Sequence, residues 1–80
     1  MSILETLRYE YNTLKLKLDT GKAALAELLK AQEEIGLEGE MYTMFALKEA
    51  ECNYFIAEAE ENLEILKKEI DRLEALGWDN

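Results

Sequence analysis

Apolar residues recur at alternating steps of three and four along almost the whole chain, and this spacing constrains the fold most strongly. The first series starts at Leu4, ends at Ile35 and has eight apolar residues at its ten positions. A second series runs from Tyr42 to Leu73. Such steps place side chains on one stripe of an α-helix, as in a coiled coil. The chain has no proline to interrupt a helix, so the sequence predicts two long helices.

The two series are separated by Gly36-Leu37-Glu38-Gly39, the only segment with two closely spaced glycines. Gly36 directly after Ile35 fits a left-handed helix C-cap, where another side chain would clash. Four residues can reverse the chain into an antiparallel pair of helices. We predict one all-α domain, a coiled-coil-like two-helix hairpin. Its predicted bounds are about 2–35 for helix 1, 36–39 for the hinge, about 40–76 for helix 2 and 77–80 for a short tail with Trp78.

One stretch, TLKLKLDTGK at residues 13–22, alternates like a β-strand, and its Leu16 would point away from a helical stripe. No second alternating run offers a partner strand, so the helical interpretation is favoured. Gly21 at its end costs about 1 kcal/mol relative to alanine inside a helix. A break there would give a three-helix bundle. Because the three-and-four spacing continues across Gly21 without slipping, we predict a continuous or mildly kinked helix.

Two helices alone cover only one stripe of each other, which leaves other apolar residues exposed. Two hairpins packed together would form a four-helix bundle and cover more of them. We therefore predict a homodimer. Leu29 and Phe55, which lie just off the two stripes, are the predicted contacts between hairpins.

The sequence carries no catalytic motif. It has no histidine, and Ser2 is its only serine, so the commonest general base and a buried nucleophile are both missing. Glu58, Glu61 and Glu64 could place carboxylates on neighbouring helical turns, but any acidic helix produces that spacing. We predict no enzyme activity, no cofactor and no metal site.

Two polar residues, Gln32 and Glu49, and the single cysteine, Cys52, lie on the stripes. Glu49 would be costly to bury unless paired, for example with Lys48 or with a lysine of helix 1. It is interpreted as a register-setting residue with Gln32 as its counterpart, or as a sign that the stripe is open to water near the hinge. Cys52 is predicted to be buried and inert.

The expected location is the cytoplasm. One cysteine cannot form an internal disulfide, and a reducing compartment is the default for such a chain. The longest apolar runs have four residues, whereas a membrane-spanning helix needs roughly 20. We expect no membrane association.

Large apolar residues also lie outside the two stripes. On helix 1 they occupy the outermost position of the heptad, and on helix 2 they alternate with glutamates. This composition is typical of a recognition surface with apolar anchors and steering charges. The same residues could instead form the dimer contact or have no role. The predicted partner-binding residues are Tyr9, Leu16, Leu47, Glu51, Tyr54, Glu58, Glu61 and Ile65.

The formal charge of −9, most of it after residue 36, indicates a partner with a basic surface and argues against direct nucleic-acid binding. The leading interpretation is a non-enzymatic protein-interaction module, either an adaptor or an inhibitor. An alternative is an inhibitor that occupies a nucleic-acid-binding groove. In size and charge the chain is similar to small acidic phage proteins that act in this way, including several anti-CRISPR proteins, although no motif identifies a family. A second alternative is an RNA-binding helical-bundle dimer with a basic strip of Lys15, Lys22 and Lys30.

Overall fold

The chain folds as two long helices in the computed structural model, which describes residues 2–36 and 38–77. Helix α1 spans Ile3–Ile35 and helix α2 spans Gly39–Ala75. The two helices pack against each other as a hairpin, so the predicted all-α hairpin is confirmed. Leu37 of the predicted hinge and the Trp78 tail lie outside the described residues.

The helix ends follow from local chemistry. Ser2 caps α1, because its Oγ accepts a hydrogen bond of 3.1 Å from the backbone N–H of Glu5. At the other end, Gly36 has a φ of 65° and donates its N–H to the carbonyl of Gln32. This is the left-handed C-cap that glycine adopts without strain. Glu40 in the first turn of α2 lies at the positive end of that helix's dipole.

Helix α1 continues through Gly21 without a break. The stretch at residues 13–22, which alternates like a strand, lies wholly inside it. Within that stretch the Thr20 hydroxyl donates a hydrogen bond of 3.0 Å to the carbonyl of Leu16, the usual way in which a helical threonine satisfies its hydroxyl. A three-helix bundle is therefore not formed by the described residues.

Two ion pairs between the helices show how α1 and α2 are aligned with each other. Arg8 lies 3.2 Å from Glu74, and Lys22 lies 3.9 Å from Glu60. The basic partners are 14 residues apart on α1, and the acidic partners are 14 residues apart on α2. Exposed pairs of this kind add little stability. Their equal spacing shows that the helices run antiparallel and keep one register over two heptads.

The best-buried packing lies at the end of the hairpin opposite the hinge. Leu4, with 1% of its surface exposed, packs with Ile70 and Leu73, and Leu7 and Tyr11 border this cluster. Further along the described helices, buried apolar side chains are found at Leu18 and Ala59. The core is therefore a narrow seam and is deepest where the chain begins and ends.

Towards the hinge the stripe residues are less well covered, which corrects three expectations. Ile35 and Tyr42 were predicted in the stripes, yet they are 60% and 62% exposed. Cys52, predicted to be buried, is half-buried, as is Glu49. Lys48, a predicted partner of Glu49, lies instead 3.5 Å from Glu51. Half-burial of Glu49 agrees with the alternative interpretation that the stripe is open to water near the hinge.

The hairpin is a rod. Its Cα atoms extend over 57 × 16 × 14 Å with a radius of gyration of 17.7 Å, whereas a compact domain of this length would have about 12 Å. No described helix contains a segment of sufficient length and apolar character to cross a membrane.

We predict that Leu73→Ala lowers the free energy of unfolding by about 2–4 kcal/mol, because it empties part of the best-buried cluster. Leu47→Ala removes the same atoms from an exposed position and should change the free energy of unfolding by about 0.5 kcal/mol or less. Urea unfolding followed by circular dichroism, at one fixed protein concentration, measures both. Equal losses in the two variants would show that the core is not at this end.

Candidate interaction surface

The eight residues predicted to bind a partner are all exposed. Leu16 is 68% exposed and Tyr54 is 72% exposed. Neither side chain is therefore enclosed within one protomer, and both are available for contacts with another molecule. Their binding role stays a prediction, because exposure alone is normal for scattered apolar residues.

Part of this set meets along one side of the rod. Tyr9 of α1 and Ile65 of α2 line one shallow depression, with a volume of about 470 Å³. Leu16 and Phe55 line a second depression, which shares Thr13 and Lys17 with the first. We call this continuous strip the side groove. Its defining residues are Tyr9, Thr13, Leu16, Lys17, Phe55 and Ile65.

Gly21 and Phe55 shape the floor of the side groove. A Cβ atom on Gly21 would lie 2.9 Å from the Cδ1 and Cε1 atoms of the Phe55 ring, which is closer than van der Waals contact allows. The ring therefore lies against the α1 backbone where only glycine leaves room. This contact explains why a glycine occurs inside the helix although glycine lowers helix stability. Phe55 remains 41% exposed on its other side, so the predicted hairpin-to-hairpin contact is still accessible.

The other predicted residues lie outside the side groove. Leu47, Glu51, Tyr54 and Glu61 are exposed on α2 and line none of its depressions. We call these four residues the outer face. Glu58, by contrast, lies beside Phe55 in a small depression that adjoins the side groove. Of the predicted partner-binding set, Tyr9, Leu16, Glu58 and Ile65 thus line these depressions, and the four residues of the outer face do not.

Charge differs along the rod. The side groove holds Lys17 together with Glu10 at its edge and Glu58 nearby, so both signs are present. Two of the three lysines in the predicted RNA-binding strip lie beside carboxylates. Lys22 is 3.9 Å from Glu60, and Lys30 is 4.0 Å from Glu34. These neighbouring carboxylates weaken the positive potential that RNA would need.

The resolved pKa shifts belong to one local pair on α2. Arg72 donates a hydrogen bond of 3.1 Å from its Nε to Glu69, and this bond holds the pKa of the Glu69 carboxyl below its ordinary value. The same bond raises the pKa of Arg72. Both groups therefore stay ionised over a wider pH range than usual. This is the behaviour of a surface ion pair and not of a proton donor.

A further exposed surface lies at the hinge, and of its residues only Leu29 was predicted as a contact, between two hairpins. Ile35, Met41, Tyr42 and Met44 are each more than half exposed, and Leu29 is partly exposed beside them. We call these five residues the hinge-end surface. A sequence signal for it exists: six of the seven residues at 41–47 are apolar. An amphipathic helix buries roughly three residues in seven, so some of these six had to remain exposed.

Within residues 2–36 and 38–77, no group of three or more cysteine, aspartate or glutamate side chains is arranged to hold a metal ion. The comparisons with known proteins add no family. No protein-family model, curated protein or solved structure matches the chain. A functional proposal must therefore be argued from the surfaces alone.

We predict that the effect of Gly21→Ala depends on Phe55. In a Phe55→Ala background the substitution should raise the free energy of unfolding by about 1 kcal/mol, the difference in helix propensity. In the native background the ring has to move, so the gain should disappear or reverse. Urea unfolding of the native chain, the two single variants and the double variant gives the coupling free energy between the two positions. Equal gains in both backgrounds would contradict the contact.

Proposed function

We propose that this protein is a non-enzymatic interaction module of the cytoplasm. It acts as a homodimer in a four-helix bundle and binds a partner protein with a basic surface. The observation that supports this most directly is the side groove, where apolar side chains from both helices are exposed together. The absence of a catalytic motif in the sequence is consistent with it.

The exposed area supports the dimer. The chain exposes 6144 Å², whereas a monomeric protein of 9.2 kDa is expected to expose about 4,900 Å². The excess, roughly 1,200 Å², is larger than the roughly 800 Å² that each partner buries in a standard interface. A second copy can therefore cover much of this excess area.

The chemistry of the side groove suits a second copy of the same chain. A two-fold dimer places the same patch on both sides, so the patch must be complementary to itself. The side groove combines apolar residues with charges of both signs, and Lys17 of one copy can face Glu10 or Glu58 of the other. Thr13 and Thr20 are small, and they leave room for close approach between helices.

The outer face is the surface that we propose for the partner protein. Leu47 and Tyr54 provide apolar contacts, and Glu51 and Glu61 provide negative charge. This combination fits a partner with basic residues around apolar ones. Glu51 is partly compensated by Lys48, so apolar contacts, more than a continuous row of carboxylates, would have to supply affinity. This favours an adaptor or inhibitor of a protein surface over a mimic of the nucleic-acid backbone.

We predict that light scattering gives a solution mass of twice the 9.2 kDa of one chain. Leu16→Glu should shift the mass towards the monomer, because it places a charge in the side groove. The matched control is Leu47→Glu, which adds the same charge at a similarly exposed leucine of the outer face and should leave the dimer intact.

Circular dichroism establishes that both variants remain helical. A native chain that stays monomeric at concentrations up to about 1 mM would overturn the dimer. Equal dissociation in the two variants would show that the side groove is not the contact.

A further inference from the structure

The hinge-end surface differs from the side groove in its chemistry. Two of its five side chains are methionines, Met41 and Met44, and a third is Tyr42. Methionine is unbranched and polarizable, so it adapts to the shapes of different partners. Tyrosine is enriched among residues that dominate binding energy. This composition is typical of a surface that binds an apolar side of another protein.

A depression beside Tyr42 gives the hinge-end surface a shape that can hold a side chain. It lies between Leu29, Gln32 and Tyr42, with Glu33 and Gly36 at its edge, and has a volume of about 390 Å³. Tyr42 and Ile35 are exposed here because the two helices no longer cover these stripe positions. The depression therefore combines two large side chains that can make apolar contacts, Leu29 and Tyr42, with the polar Gln32 and Glu33.

The charge around the hinge-end surface is strongly acidic. Residues 29–51 contain six glutamates and two lysines, a net charge of −4. Both lysines lie beside glutamates: Lys30 is 4.0 Å from Glu34, and Lys48 is 3.5 Å from Glu51. A cationic partner is thus attracted to this end of the rod.

This charge also argues against a second copy as the occupant. Two hinge ends in contact would bring together two groups of glutamates, each with a net charge of −4 over residues 29–51. Like charges opposed across an interface are unfavourable. The side groove, with Lys17 and Glu10 together, carries no such penalty. The side groove is therefore better suited to self-association, and the hinge end, in addition to the outer face, is better suited to a partner protein.

We propose that the hinge-end surface binds a basic amphipathic helix of a partner protein. The apolar side of that helix would lie on Met41, Tyr42 and Met44, with a side chain in the depression, and its lysines or arginines would face the surrounding glutamates. This is the helix-in-groove mode of recognition. The inference relies on the proposed function for the existence of a partner protein, and it is independent of the dimer.

A synthetic peptide tests the proposal with the full chain. The probe has about 18 residues, five helical turns, with leucines on one side and lysines on the other. One control peptide replaces its leucines with glutamine, and another replaces its lysines with glutamate. We expect the leucine–lysine peptide to bind at least tenfold more tightly than either control in calorimetry. In NMR spectra it should shift the methyl signals of Met41 and Met44.

A pair of matched variants locates the site. Met41→Gln with Met44→Gln should weaken binding of the leucine–lysine peptide tenfold or more and leave the solution mass unchanged. Leu16→Gln with Ile65→Gln makes the same kind of change in the side groove, and it should preserve peptide binding while reducing dimerisation.

Other results would overturn the proposal. They are equal affinity for the glutamine control peptide, unchanged affinity in the methionine variant, or loss of dimer mass in that variant. The last result would assign the hinge-end surface to a second copy. A monomeric native chain that still binds the peptide at Met41 and Met44 would refute the dimer and leave this inference standing.

Discussion

The structure depends on a geometric constraint, which is that two helices can cover only one stripe of each other. In this hairpin the stripe is well covered at one end, where Leu4 packs with Ile70 and Leu73, and poorly covered near the hinge, where Ile35 and Tyr42 are exposed. A rod of this kind has a large surface for its mass. Its exposed apolar residues therefore follow from the fold.

Charge separates the exposed apolar residues into surfaces with different expected occupants. The side groove has charges of both signs, so it can pair with itself about a two-fold axis. The hinge end is acidic, and the lysines nearest to it, Lys30 and Lys48, already lie beside glutamates. Apolar area alone would not distinguish a second copy from a foreign partner, and the sign and arrangement of the charges are the reason why we propose different occupants.

The helices and their pairing could be predicted from the sequence, because the three-and-four spacing and Gly36 are local signals that tertiary contacts did not override. The continuity of α1 through Gly21 followed from the same spacing. The reason for that glycine could not be predicted, since it depends on which α2 residue lies opposite. The register places Phe55 there. For the same reason, the sequence could not show that Tyr9 and Ile65 line one depression.

Ile35 and Tyr42 illustrate a further limit of pattern analysis. Periodicity assigns each residue to a side of its own helix, but burial also requires that the opposing helix be close enough to cover it. Ile35 is the last residue of α1 and Tyr42 lies in the first turn of α2, next to a turn with positive φ at Gly36 and Gly39, and both side chains are exposed. These two stripe residues are therefore open to contact with another molecule. If the body of the hairpin pairs with itself as we propose, the hinge end stays free, and the acidic start of α2 with Met41 and Met44 would then bind a foreign helix without competing with the dimer.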